Sequence, residues 1–367
     1  MMARGHKLLD VSTPCYIPAT IAGNMPHLTK DNCEKLSDLK LVGVNYADLF
    51  SSLAALEKTG TTFAEFLHLP NDSQVVFSVT DVLANPIARN TATHRSLEST
   101  NGRKKITPRE YMAAVNTYKP SSFVALADEV DGTFGAKRQQ NAMENSIVWL
   151  DECLSLRDPS SSPSRIFGVL CGGDIPRLRE TSAVETCKRT IDGVVISGLG
   201  GGETLEFRHQ VLELYAKVVP TALPRLLLNV GNPLEVLAAV ASGVDAFMSS
   251  YPYIVSKFAY ALVFWIGSPS TSNEPGSSDE SATKINLRDK KYDRDMRPLL
   301  PGCPCFACTH HTRAYINHLL NVHEMLANIL LYMHNLHHYF AFFKAMRRHI
   351  GNGTFPAFHD EFAAKYN

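Results

Sequence analysis

A closed (β/α)8 barrel is what this sequence predicts: an α/β protein of the TIM-barrel class with a smaller C-terminal subdomain. Three observations predict it. Short apolar runs of strand length recur about eight times through the first two thirds of the chain, as strands of a parallel sheet buried on both faces do. Amphipathic helical patterns lie between the later runs, giving the strand, turn, helix alternation of a sheet covered by helices. The chain has 367 residues and 45% apolar content, enough for one large core and a common length for a single barrel.

Taken in order, the expected strands are 15–18, 41–44, 75–79, 123–127, 166–170, 194–196, 226–230 and 244–247, each rich in Val, Ile, Leu or Phe. Helical periodicity runs through 177–189, 205–219 and 233–242. A barrel of this kind works at the C-terminal ends of its strands. Three such ends stand out: Asp128-Glu129 after Ala127, the loop Ser197-Gly198-Leu199-Gly200-Gly201-Gly202-Glu203 after Ile196, and Gly231 after Val230. Glycines there let backbone approach a flat ligand or a phosphate closely. They equally suit tight turns that need positive φ, and Asp128-Glu129 equally suits a helix N-terminus.

Residues 268–284 contain SPSTSNEPGSSDESAT, which has almost nothing to bury and is expected to be a mobile surface loop. The chain therefore divides into a barrel over 1–284 and a metal-binding helical region over 285–367. Segment 285–297, Arg103-Lys104-Lys105 and Lys344 with Arg347-Arg348 are the cation-rich stretches where phosphate contacts are expected. Overall, 36 basic residues balance 36 acidic ones, which excludes a chain-wide polyanion magnet.

Cys303-Pro304-Cys305-Phe306-Ala307-Cys308 places three thiols within six residues, the pattern of a metal loop rather than of disulfide pairing. Zn²⁺ seeks four thiolate or imidazole ligands in a tetrahedron, so a fourth must come from elsewhere. His310, His311, His318, His323, His334, His337 and His338 are all available. From about Thr312 an apolar stripe through Leu319, Val322, Leu326, Leu330, Met333 and Leu336 predicts one long amphipathic helix, and both His334 and His337 lie on its apolar side. Four protein ligands would close the site and leave no corner for metal catalysis. The other five cysteines, at 15, 33, 153, 171 and 187, stand singly among apolar neighbours, as buried thiols of a reducing compartment do. Residues 1–20 hold Arg4, Lys7 and Asp10 without an apolar core segment, so no secretory signal is expected. The longest apolar uncharged run, 258–267, is too short to span a bilayer.

With these motifs together, the chain resembles the tRNA-guanine transglycosylase family from Thr13-Pro14 to the C-terminal helix. These are (β/α)8 barrels that exchange the wobble guanine of certain tRNAs for a deazaguanine base. The resemblance implies a structural Zn²⁺, one per chain, on Cys303, Cys305, Cys308 and His334, the last in a His334-Asn335 pair 26 residues after the third cysteine. It also implies a base pocket built from Asp128 and the backbone of Gly198, Leu199 and Gly200. A glutamine of that pocket falls at Cys171, which cannot make the same pair of hydrogen bonds.

The family's nucleophilic aspartate falls at Met248, after Gly243-Val244-Asp245-Ala246-Phe247, and a thioether cannot attack a ribose. The second active-site aspartate falls near Thr100, seven residues ahead of the first residue of the helix start Thr107-Pro108-Arg109-Glu110. Tyr251-Pro252-Tyr253 replaces the family's Pro-Thr-Arg, as in its eukaryotic non-catalytic branch. No catalytic residue is therefore expected. The resemblance implies instead an accessory subunit paired in a heterodimer with the catalytic queuine tRNA-ribosyltransferase subunit on tRNA with a GUN anticodon, and a homodimer in isolation. It implies a cytoplasmic location, with peripheral attachment at the mitochondrial outer membrane. The rival reading is an active transglycosylase that recruits Glu98, Asp128 or Asp245; a third, a zinc hydrolase, would need an open metal position.

Overall fold

The computed structural model describes residues 7–49, 52–70, 72–80, 90–99, 102–130, 132–158, 164–267 and 283–366. The expected mobile loop falls almost wholly on 268–282, and Thr100 is a single position; both lie outside the described residues. The chain forms two compact units. The first gathers residues up to Asn24 with Lys40–Val230 and Ala238–Ser249; the second gathers Met25–Leu39, Gly231–Leu237 and the chain from Ser250 onward.

In the first unit eight parallel strands form the barrel: β1 Cys15–Pro18, β2 Leu41–Asn45, β3 Gln74–Ser78, β4 Ser122–Val124, β5 Arg165–Leu170, β6 Gly193–Ile196, β7 Arg225–Leu228 and β8 Ala246–Ser249. Their order in the sheet is β1-β8-β7-β6-β5-β4-β3-β2. A parallel bridge between Ala19 and Gly43, with the Thr20 N–H donating to the Gly43 carbonyl at 2.9 Å, brings the β1 and β2 edges together and all but closes the ring. The strands are nearly continuous in apolar residues because their outer faces meet helices and their inner faces meet one another. Ile17, Val76, Phe167, Leu226, Leu228 and Met248 belong to one interior cluster, so the barrel is filled rather than open. Thr107 caps the helix Pro108–Tyr118 through a reciprocal pair with Glu110, as the Thr-Pro-x-Glu start predicts.

The second unit begins ahead of the expected division at 284. The reason is a short antiparallel pair, Tyr260–Leu262 with Lys284–Asn286, whose first strand is fastened to the helix Leu326–Gly351. Asn335 makes that attachment: it accepts from the Leu262 N–H at 2.7 Å and donates to the Tyr260 carbonyl at 2.9 Å and to Ser256 at 2.8 Å.

The single long helix expected from Thr312 is instead two, Arg313–Asn321 and Leu326–Gly351. His323 adopts φ +60°, and the Glu324 N–H donates back to the Leu319 carbonyl at 2.9 Å. This left-handed stop is compatible with an apolar stripe in sequence because the stripe resumes in phase after it. Val322, placed in that stripe by sequence, is half exposed.

Arg313 and Arg297 are structural here. Arg313 is buried, donating to the carbonyls of Pro298 and Leu299 at 3.0 Å each and meeting Asp295 at 3.2 Å; Arg297 holds the same carboxylate at 2.7 Å. Burial alone would raise the Asp295 pKa from its ordinary 3.8, but the Arg297 hydrogen bonds and the Arg313 charge hold it down to about 2. A depressed carboxylate contributes stability above its unfolded pKa and loses it as pH falls through the folded one. Asp295→Asn is thus expected to lower the urea midpoint at neutral pH. Its gap from wild type should narrow as acid melting is followed from about pH 4 down to about pH 2. A gap that stays constant over that window would remove Asp295 from the acid response.

Candidate functional site

The thiol cluster is assembled by one tight loop and one buried helix. Gly302, at φ +75°, turns the chain into Cys303, and Cys305 caps the short helix Phe306–His310 by accepting from the Cys308 N–H at 3.4 Å. The Nδ1 of His334 lies 3.8, 3.4 and 3.3 Å from the sulfurs of Cys303, Cys305 and Cys308, and the four ligand atoms all fall within 4.8 Å of one another. Bonds of roughly 2.3 Å to sulfur and 2.05 Å to nitrogen at a tetrahedral centre put sulfur and nitrogen about 3.6 Å apart, so the group fits a tetrahedral metal ion. The Nε2 of His334 donates to the Leu262 carbonyl at 2.8 Å, which fixes the tautomer that leaves Nδ1 free to ligate. Burial would push the His334 pKa down, but its hydrogen bonds to the sulfurs of Cys303 and Cys305 outweigh this and hold it up at about 10.

The remaining candidate histidines stay outside the group. His338, one turn along the same helix, is buried but spends its Nε2 on the Phe264 carbonyl at 2.9 Å. His337 is half-buried, and His310 turns its Nδ1 back to the Phe306 carbonyl. His311 stacks on Tyr315. The aromatic run Tyr339, Phe340, Phe342 and Phe343 is buried, with the Tyr339 hydroxyl donating to the Gly231 carbonyl at 2.7 Å. Among the described residues no helix is long and apolar enough to cross a membrane.

At the strand ends of the barrel the glycine loop after β6 has the shape its sequence predicts. Gly198, Gly200 and Gly202 all take positive φ, and a Cβ on Gly200 would stand 2.9 Å from Asn229. Glu203 holds the loop by accepting from the Gly200 and Gly201 N–H groups at 2.7 and 3.0 Å, with Arg208 as its counter-ion at 2.5 Å. From beneath, the fully buried Arg179 donates to the carbonyls of Gly173, Ser197 and Gly198. Leu199 is buried rather than presented. An open groove of about 370 Å³ runs along this loop, between Glu129, Gly132, Asp174, Leu199 and Asn229.

Asp128 does not face that groove as an open carboxylate. It is fully buried, and its two oxygens accept four hydrogen bonds from the chain itself: Arg138 at 2.8 and 2.7 Å, Asn90 at 2.9 Å and Asn145 at 2.8 Å. Glu129 is likewise engaged, with Arg95 at 2.6 Å and the hydroxyls of Thr80 and Ser197. Burial would raise its pKa, but the Arg95 charge and those bonds keep it below the ordinary carboxylate value. The small cavity between Asp128, Gln139, Cys171 and Gly198 measures about 10 Å³, room for roughly one water. Burial and the nearby Glu129 charge push the Cys171 thiol up to about 12, so it stays protonated.

Met248 points into the barrel interior, 3% exposed, and its sulfur covers Gly43 so closely that a Cβ there would lie 2.4 Å away. The other carboxylates are committed elsewhere. Asp245 accepts from the Arg225 N–H at 2.9 Å and fastens neighbouring strands, and Glu98 is an exposed hairpin residue paired with Arg103 at 2.7 Å. Arg138, Asn90, Asn145, Gln139 and Arg179 carry the pocket's chemistry and escape a reading of the sequence. The one available signal is that Arg138 and Asn145 stand seven apart on a helix, two turns on one face.

Comparison with known proteins follows the same lines. The family model described as queuine tRNA-ribosyltransferase matches residues 3–367. A human protein named queuine tRNA-ribosyltransferase accessory subunit 2 is 34% identical over 380 residues, covering 94% of this chain and 90% of its own. Proteins of that name from Gallus gallus and Anopheles gambiae are each 33% identical over 373 residues. They cover 92% and 97% of this chain, and 87% and 84% of their own.

Proposed function

Because the chain belongs to the queuine tRNA-ribosyltransferase family, we propose that it is the non-catalytic half of a two-subunit tRNA-guanine transglycosylase, pairing with a catalytic homologue and helping to seat a GUN-anticodon tRNA. The single observation that carries this reading is Met248, a buried thioether at the strand end where the resemblance calls for a nucleophilic carboxylate. A thioether offers neither the charge nor the leaving-group chemistry for a covalent ribosyl intermediate. The sealed Asp128 and the engagement of Asp245 and Glu98 support it further, since none of the three is free to take over.

In this reading the metal is Zn²⁺ with a structural role. Three sulfurs and one imidazole match its preference, and four protein ligands leave no position for a substrate. Tethering the helix Leu326–Gly351 to the loop at 303–308 stiffens the second unit. The cations of Arg103, Lys105, Lys344 and Arg348 are exposed and suit phosphate contacts. The reading carries with it a cytoplasmic location, with the outer mitochondrial surface as a second site.

The test is guanine exchange into a GUN-anticodon tRNA by this chain alone, by a catalytic homologue alone and by the mixture. Exchange only in the mixture, with co-elution of the two chains, is the expected result. Exchange or a trapped covalent RNA complex from this chain alone would overturn the reading.

A further inference from the structure

The turn after β7 is held by the helix that carries the metal ligand. The Gly231 carbonyl accepts from the hydroxyl of Tyr339, a wholly buried side chain of Leu326–Gly351, and the same helix brings His334 to the sulfurs. It also reaches the helix Tyr251–Lys257, which follows β8. Asn335 donates to Ser256 at 2.8 Å, and Tyr332 meets Tyr253 edge to face with ring centroids 5.9 Å apart. Tyr253 in turn lies 5.6 Å from the ring of His27, in the segment that follows β1. Lys35 of that segment stands 4.7 Å over the ring of Phe306, between Cys305 and Cys308.

β1, β8 and β7 are consecutive in the sheet, and the segments after all three, Met25–Leu39, Gly231–Leu237 and the chain from Ser250, belong to the second unit. Those after β2 to β6 belong to the first. On a helix, positions 332, 335 and 339 share one side, and 334 and 338 share another. The first side holds the segments after β7 and β8; the second meets the sulfurs and the carbonyls of Leu262 and Phe264. A rigid helix committed on two sides transmits a displacement of one to the other.

We infer that Tyr332, Asn335 and Tyr339 are positioning residues through which the metal site sets the segments leaving β1, β8 and β7, so that this part of the barrel's working face is formed only in the metal-loaded chain. Met248 lies on the middle strand of the three. The inference goes beyond the accessory role, since it holds or fails whichever chain exchanges guanine.

The experiment uses the full chain, stripped with a chelator or reloaded with Zn²⁺, and reads hydrogen exchange by mass spectrometry together with metal affinity by chelator competition. Stripping wild type is expected to speed exchange over 25–39, 231–237 and 250–257 together, while 74–78 and 165–170 keep their protection. Tyr339→Phe removes one hydroxyl. Loaded, it should keep one equivalent of metal and exchange faster at 231–237 by roughly three- to ten-fold, the effect of one buried hydrogen bond. Because coupling is reciprocal, its metal affinity should fall by a factor of the same order. Tyr118→Phe is the control: it removes a like bond, to the Leu49 carbonyl at 2.8 Å, within the first unit, and should leave metal affinity unchanged. Wild-type metal affinity in Tyr339→Phe overturns the inference, as does a stripped wild type in which 231–237 exchanges no faster than in the loaded chain.

Discussion

Replacing His334 with alanine is expected to strip the chain of its metal and to unfold much of the segment from Ser250 onward. The side chain is wholly buried, it supplies the only nitrogen of the ligand group, and its second nitrogen ties the helix Leu326–Gly351 to Leu262. Without it the three cysteine sulfurs would share a site with no fourth ligand. Structural zinc contributes about 10–16 kcal/mol in small metal-dependent domains, comparable to the whole stability of an ordinary one. Losing even part of that leaves little. Metal content by atomic emission should fall from one equivalent to a trace, and hydrogen exchange should rise first over 250–366. His338→Ala is the control, since it removes one buried hydrogen bond of about 1 kcal/mol but keeps all four ligands. One full equivalent of metal in the His334 variant would mean that another histidine can serve, and the assignment would fall. Wild type should retain metal at neutral pH and release it on acidification, because thiolates and imidazole must be deprotonated to ligate.

Met248→Asp is the second large effect, and its expected outcome is loss without gain. Restoring a carboxylate at this position is the obvious route to an active site. Yet the side chain enters an apolar cluster with Ile17, Leu228 and Ala246, directly over Gly43. An unpaired carboxyl there would stay protonated or cost on the order of 3–5 kcal/mol, close to what removing one partner of a buried ion pair costs. Asp128, for its part, would remain saturated by Arg138. The variant alone is expected to melt several degrees lower and to form no covalent complex with tRNA. Exchange by the isolated Met248→Asp chain would show that only the nucleophile is missing, and that the pocket opens more readily than its hydrogen bonds imply.

The barrel was legible because its signal is local. Each strand is a short apolar run between turn residues, and whichever neighbour it pairs with, both of its faces are buried. The cysteine cluster was legible for the same reason: three ligands on one loop need no tertiary information to meet. The break at 322–325 was not, since an apolar stripe in phase on both sides looks continuous, and the left-handed turn at His323 leaves no glycine to mark it. Nor was the ligand histidine evident from residues alone, as His334 and His337 share the apolar side; the resemblance chose His334, and the geometry brings it to the sulfurs.

What the sequence determined by itself is the alternation of buried strands and helices, the thiol loop, and the absence of a carboxylate at position 248. The tertiary structure decided how the remaining carboxylates are spent. Asp128 reads in sequence as a free strand-end acid, yet Arg138, Asn145 and Asn90 converge on it from a following helix and a distant loop. A charge has no periodicity to betray its partner. Whether a buried carboxylate serves a ligand or its own chain depends on which donors the fold carries to within 3 Å of it, and that is a property of three-dimensional packing.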